Sequence, residues 1–383
     1  MKITFTTVHT VRFCVFTLLG QLCLLSYLYA SPTPVVCETT KTLPNHQWLY
    51  SPLIPFDFTS AFQTTRPWII SIAAGIIKDK IKSDKTVKSV FEPKSEGSGV
   101  LWGKNRYIVT NAHVIQNHKE IRAKTYQRQV LRLEVVGIYK ELDLAILKTS
   151  TPNALINLPS ACYTDVLPPV GTWVAAIGHP YSMTYSLSTG VISAHHRGQT
   201  LPEWARYFPG FLQTNITLNP GNSGGPLVDQ RGVMIGLNTA IRQGAIGMSF
   251  TLPMSRIIPV VNQLSQTGQF KRSYVGLKLS TVSYLRGKKA GFSSPRGVRV
   301  KSVTSHGPAA RAGLQKNDII MAINGQVFNH PSSLSWRLIS AIPEVPITIE
   351  VVRSGATIHH YLTTLIPKSA RSKLQRAPPH IQK

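Results

Sequence analysis

From about residue 66 onward, apolar positions come in short runs, many of them alternating with polar ones. WIISIAAGII, GSGVLW, YIVTNAHVI, VLRLEVVGIY, LAILKT, WVAAIG, STGVISA, PLVDQRGVMIGLNTA and IGMSFTLP follow one another, with turns such as residues 229–232 between several of them. Runs of this length and period predict β-strands. Many strands without intervening helices predict an antiparallel barrel or sandwich. Residues 78–96, rich in Lys, Ser and Asp, read as an exposed loop between two strands. The first helical pattern is SRIIPVVNQLSQTG, residues 255–268, with Ser255 as cap, Pro259 near the first turn and Gly268 as terminator. That helix closes a first domain over 66–270. A smaller segment follows over 271–367. In it, Asn324 and Gly325 suit a tight hairpin turn, and residues 332–339 read as a helix capped by Ser332 or Ser333. Leu334 and Leu338 lie one turn apart there and face either a groove or the core, with the core favoured for Leu334.

The first thirty residues have a different character. Lys2 and Arg12 precede an apolar stretch from Phe13 to Leu25, and Ala30 offers a small residue before a cut. This is the pattern of an export signal, with an apolar core shorter than the ~20 residues of a membrane span. Leu28 departs from the small-x-small rule, so a removed signal and a retained N-terminal anchor both stay open. Either one places the protein in a periplasm or outside the cell. Residues 31–65 form a Pro-broken lead-in segment. Its aromatics Trp48, Tyr50, Phe56, Phe58 and Phe62 pack either on their own domain or on another subunit.

Two of the four cysteines, Cys14 and Cys23, lie in the signal, leaving Cys37 and Cys162. Export permits a disulfide between those two, and two unpaired thiols are equally compatible with the sequence. There is no Cys-x-x-Cys spacing, and no metal or cofactor is expected. The 42 Lys and Arg against 16 Asp and Glu give +26, or +24 without residues 1–30. Such a field favours anionic partners. The expectation is an anionic envelope surface, with no specific nucleic acid. The excess is spread along the chain and rises mildly in a tail over 368–383, where Lys368, Arg371, Lys373, Arg376 and Lys383 have no acidic neighbour.

Three segments carry the chemistry. TNAHVI places His113 after a β-rich run, ELDLAILKT places Asp143 at the start of a strand, and NPGNSGGPL places Ser223 in a Gly-rich turn. The order is His, Asp, Ser, at separations of 30 and 80 residues. A serine hydroxyl is a weak nucleophile until an imidazole takes its proton, and an aspartate holds that imidazole in the required tautomer. The Gly221-Asn222-Ser223 turn supplies backbone amides for an oxyanion, those of Gly221 and Ser223 above all, each donor contributing roughly 3 kcal/mol. Gly224 and Gly225 leave room for a peptide to approach.

On these motifs the sequence resembles the HtrA/Deg-type serine proteases. The likeness runs from about residue 66 to 366 and includes VAAIGHP, STGVIS, IGLNTAI and GPAARAGLQKNDIIMAING. It implies a mostly β protein, with a chymotrypsin-like double β-barrel protease domain followed by a single PDZ domain. The implied activity is ATP-independent endoproteolysis of unfolded or damaged proteins by the His113–Asp143–Ser223 triad, with trimers or their multiples as the assembly. In that framework Thr217, Ile241 and Ile246 help form the substrate pocket, favouring an aliphatic residue before the cut. Tyr274, Val275, Gly276 and Leu277 in SYVGLKL would receive a peptide C-terminus. Two departures stand out. Asn215 replaces an acidic residue, which keeps open a chaperone-like binding protein with an idle protease site. His179 replaces an Asn and reads as a loop contact. The pair His195-His196 is discounted as a metal site because neighbours on a strand point to opposite faces.

Overall fold

The computed structural model describes residues 57–81, 87–179, 185–197, 210–241 and 247–365. The export signal, Cys37, Trp48, Tyr50, Phe56, Ile246 and the basic tail lie outside these. Short helices α1 (Thr59–Thr65) and α2 (Ala112–Ile115) accompany a first closed barrel of β1 (Ile69–Ile81), β2 (Val87–Trp102), β3 (Tyr107–Asn111), β4 (Glu120–Lys124), β5 (Val130–Tyr139) and β6 (Leu144–Thr149). The second barrel contains β7 (Trp173–Gly178), β8 (Ser186–Arg197), β9 (Phe211–Thr214), β10 (Pro226–Val228), β11 (Met234–Ile241) and β12 (Ser249–Pro253). All ladders in the two barrels are antiparallel, as in β1 with β2, where Ile69 faces Val100.

Alternation along β7 shows how one strand serves two cores. Val174 and Ala176 join Ile192, Leu212 and Leu227 inside the second barrel. Ala175 and Ile177 turn the other way, into a core shared with Ile69, Leu101 and Ile146 of the first barrel and with helix α3 (Met254–Thr267). A strand buried on both faces must be apolar throughout, which is why these runs lack polar alternation.

The remaining elements are α4 (Tyr284–Lys289), α5 (Pro308–Arg311), α6 (Pro331–Ile339) and the strands β13 (Leu277–Thr281), β14 (Val298–Val303), β15 (Ile319–Ile323), β16 (Gln326–Val327), β17 (Pro346–Arg353) and β18 (Ala356–Thr363). They form one antiparallel sheet in the order β13-β14-β15-β17-β18, with β16 paired to β15. Asn324 and Gly325 turn between β15 and β16 with φ of 48° and 78°, the left-handed pair a tight hairpin requires. Both Leu334 and Leu338 are buried in this unit's core.

Three local expectations need correction, and one open alternative is decided. The expected loop at 78–96 is strand as far as it is described, with β1 and β2 paired out to Ile81 and Val87. Backbone pairing does not depend on side-chain polarity, and Lys78–Glu92 and Ser89–Asp79 contacts brace the hairpin. Helix α3 starts one residue early, at Met254, after Pro253 and without a side-chain cap. Its other end is as expected, with Gly268 left-handed at φ 69°. Helix α6 starts at Pro331 and is capped by His330, whose ring accepts from the Ser332 N–H at 3.2 Å. Finally, Phe58 and Phe62 pack on their own domain, Phe58 in the shared core and Phe62 edge-on to Tyr185. Cys162 is disulfide-bonded.

Candidate active site

Asp143 ends a 3-10 turn at Lys140–Leu142 and takes a left-handed conformation, φ 54° and ψ 42°. Few residues other than Gly tolerate this, Asp among them, and such strain persists where the surroundings over-determine it. Those surroundings are explicit. Its carbonyl accepts from the Ala112 N–H at 2.9 Å and from Asn111 Nδ2 at 3.0 Å. Its carboxylate accepts from the His113 N–H at 2.8 Å and from Thr239 Oγ1 at 3.1 Å, and His113 Nδ1 lies 2.6 Å from Oδ2. Asn111 Nδ2 also donates to Thr239 Oγ1 at 2.9 Å, closing the ring. The imidazole is thereby held with Nε2 free to accept a proton, at a side chain 46% exposed beside a carboxylate that is 10% exposed.

The Ser223 turn is fastened separately. The Ser223 carbonyl accepts from the Ser98 N–H at 2.8 Å, and Gly224 and Asn238 exchange backbone bonds with each other's loop at 2.9 Å. Asn238 Nδ2 further donates to the Pro226 carbonyl at 2.9 Å. Asn238 and Thr239 are consecutive on β11, so one strand holds the Ser223 turn and Asp143 with its two faces. Gly97 brings the two arms together, since a Cβ there would lie 2.6 Å from Val114, next to His113, and 3.1 Å from the Ser223 carbonyl. A Cβ on Gly224 would meet the Ser98 carbonyl at 2.1 Å, and Gly224 also has φ 79°, so no side chain fits.

Of the three residues expected to stabilise an oxyanion, two remain candidates. Among the described residues the N–H groups of Gly221 and Ser223 donate to no acceptor, whereas the Asn222 N–H is engaged by the Asn219 carbonyl at 3.0 Å. The Asn222 side chain is buried against Gly178. Ser98 was not singled out by sequence. Its Oγ donates to the Gly221 carbonyl at 2.7 Å and accepts from the His179 N–H at 3.0 Å. His179 is itself buried, packed on Tyr185 at 4.2 Å, and desolvation pushes it down to about 4. It is a loop contact, as expected, and it sits behind the Gly221–Ser223 turn through Ser98. Polar residues interrupting apolar strands, as Ser98, Asn111 and Asn238 do, were the available signal.

Other expected site residues are placed unevenly. Thr217 is exposed between β9 and Ser223, while Ile241 ends β11 and nothing further is described of the pocket wall. Asn215 Oδ1 accepts from the Val191 N–H at 2.7 Å, tying the segment before the Ser223 turn onto β8. His195 lies 2.7 Å from the Pro168 carbonyl, and a bulge gives His196 φ 56° and stacks it on His330 at 4.0 Å. In the smaller unit, Gly276 has φ 77° and the N–H groups of Val275 and Gly276 donate to no group among the described residues. Tyr274, by contrast, exchanges backbone bonds with Leu365, so its N–H is engaged. Helix α6 beside this loop also docks on the barrels. Trp336 Nε1 donates to the Ser255 carbonyl at 3.1 Å, Arg256 lies 5.0 Å over its ring, and Arg256 Nη2 donates to the Ser332 carbonyl at 2.9 Å.

With this geometry in view, the comparisons decide the family. A trypsin-like peptidase domain model matches residues 97–237 and a PDZ domain model matches 244–363. The chain is 33% identical over 327 residues to the chloroplastic Protease Do-like 1 of Arabidopsis thaliana, covering 81% of this chain and 72% of that one. The chain belongs to the HtrA/Deg-type protease family. A probable periplasmic serine endoprotease, DegP-like, of Hahella chejuensis is 35% identical over 268 residues, 69% of this chain and 55% of that one. This HtrA/Deg-type chain thus spans about half the length of several curated relatives it matches. Among solved structures, the HtrA-type protease AlgW with tripeptide matches with a TM-score of 0.59 at 27% identity, covering 85% of this chain and all of that one. The serine endoprotease from Yersinia pestis gives 0.52 at 26%, covering 82% and 100%. The two barrels and the smaller sheet thus correspond to a trypsin-like peptidase domain followed by one PDZ domain.

Proposed function

We propose that this chain is an exported, ATP-independent serine endopeptidase that cuts exposed segments of unfolded or damaged proteins. The chemistry falls to residues 66–270 and peptide capture to 271–367. Ser223 Oγ attacks the scissile carbonyl while His113 Nε2 takes its proton, and Asp143 stabilises the imidazolium that forms. The free N–H groups of Gly221 and Ser223 receive the oxyanion. The imidazolium then protonates the leaving amine, and water repeats the cycle on the acyl-enzyme. The observation that carries this reading is the Asp143 carboxylate, bonded through both oxygens to His113 and braced by Thr239.

Thr217, Ile241 and Ile246 are proposed to shape a pocket for an aliphatic residue before the cut. The Val275, Gly276 and Leu277 amides are proposed to take the carboxylate of a C-terminal peptide added along β13, an edge strand of its sheet. Periplasmic residence is supported by relatives named as periplasmic endoproteases. Trimeric assembly through the lead-in aromatics Trp48, Tyr50 and Phe56 belongs to the same reading. The test is digestion of unfolded casein by the exported chain beside Ser223→Ala, with cleavage sites mapped by mass spectrometry. Cuts after aliphatic residues should vanish in the variant, a loss of roughly a million-fold in rate. No cutting by the wild-type chain, even with C-terminal peptides added, would sink the proposal.

A further inference from the structure

Between Asp229 and Asp318 the chain carries no Asp or Glu, and residues 271–317 alone hold eleven Lys and Arg. The fold gathers part of this charge onto one side of the PDZ unit. On β14, Val298 and Val300 point into the core while Arg299 and Lys301 point outward. Lys278 on β13 pairs with Ser302, alongside them. Arg286, from α4, and Arg299 converge on a single neutral acceptor, Asn317 Oδ1, at 3.2 and 3.3 Å. Lys316 is the next residue along.

Among the described residues no carboxylate forms an ion pair with this cluster. The nearest in sequence, Asp318, is 1% exposed and turned inward to a two-pronged bond with Arg353. None of Lys278, Arg286, Arg299, Lys301 and Lys316 forms an ion pair among the described residues, although Arg132 and Lys148 in the barrels do. Two guanidinium groups drawn to one amide oxygen repel one another, and an external anion relieves that repulsion. Beside them α4 exposes two large apolar side chains, Tyr284 at 58% and Leu285 at 72%, with Lys288 Nζ 5.7 Å from the Tyr284 ring. Apolar side chains projecting from a cationic surface suit a headgroup layer, where charge meets phosphate and the apolar tips enter the acyl boundary.

We infer that the face formed by α4 and the outer side of β13–β14 docks on an anionic lipid surface, through phosphate headgroups at Arg286, Arg299 and Lys301 and through insertion of Tyr284 and Leu285. The inference is independent of the peptidase reading, because its test involves no proteolysis. The full chain carrying Ser223→Ala is mixed with phosphatidylcholine vesicles containing increasing phosphatidylglycerol, and its partition is measured by sedimentation. Binding to phosphatidylcholine alone reports the N-terminal apolar segment, so the quantity read is the increment due to phosphatidylglycerol. Each cation near a charged surface is worth about fivefold in partition, so Arg286→Glu/Arg299→Glu should lower that increment at least tenfold. Leu285→Ser should lower it severalfold with charge unchanged. Melting temperatures of both variants should match the parent, since neither arginine has a buried partner. An unchanged increment in the charge-reversed chain overturns the inference. So does undiminished binding by Leu285→Ser, which would leave contact by charge alone. Equal, variant-sensitive binding of single-stranded DNA or an acidic protein would reassign the face to a soluble polyanion.

Discussion

His179 is buried, and its burial makes the fold sensitive to acid. The ring is 7% exposed, packed on Tyr185, with Nδ1 3.5 Å from Ser98 Oγ. Desolvation, helped by the positive field of Lys124, pushes it from 6.5 down to about 4. The unfolded chain therefore takes up a proton near pH 6.5 that the folded chain refuses until about pH 4. Stability from this site is intact above pH 6.5, falls as pH drops through that value, and stops falling below about pH 4. The gap corresponds to a loss of about 3 kcal/mol by pH 4 and about 1.4 kcal/mol at pH 5.5. Many carboxylates titrate in the same range, so the quantity to measure is a difference. Urea unfolding of Ser223→Ala and of Ser223→Ala/His179→Asn, followed at pH 7.5, 5.5 and 4.0, isolates it. The stability advantage of the Asn chain should grow by those amounts as pH falls. Parallel pH curves for the two chains would refute the argument and mean that His179 is solvated or paired in a way its packing does not suggest.

Ser98→Ala removes the donor to the Gly221 carbonyl and the acceptor of the His179 N–H, so kcat on a peptide substrate should fall about ten- to hundredfold with KM little changed. A rise in KM at constant kcat would place Ser98 in substrate binding instead. Trp336→Ala empties a site only 4% exposed between α6 and the barrels and should cost about 3–5 kcal/mol of docking, splitting a joint unfolding transition into two in calorimetry. Arg353→Met strands the buried Asp318 carboxylate and should destabilise the PDZ unit by about 3–5 kcal/mol in urea, while Arg353→Met/Asp318→Asn should recover most of it.

The fold and the segments that carry His113, Asp143 and Ser223 were legible because they rest on local signals. Period-two runs announced the strands, and left-handed turns announced themselves as Asn324-Gly325 and as Gly268. His113, Asp143 and Ser223 stood out because each sits in a short segment whose residue types the chemistry demands. Polarity misled at 78–96, because a ladder's hydrogen bonds form between backbones whatever the side chains are. The helix caps were also misread, since the groups that capped or failed to cap depended on where the preceding chain entered, and at α6 a His ring took the place of a Ser hydroxyl.

What sequence alone determined is therefore the set of elements and the residue types of the site. Tertiary structure decided which side chains hold them in place. Ser98 and Gly221 are 123 residues apart, and Asn111 and Thr239 are 128 apart, so no local pattern could pair them. Two closed barrels place those strands edge to edge, and burial then favours pairing of the polar groups brought inside. The same holds for charge. Sequence showed an excess of cations, and only the alternation of β14 and the reach of α4 put Arg286 and Arg299 on one acceptor.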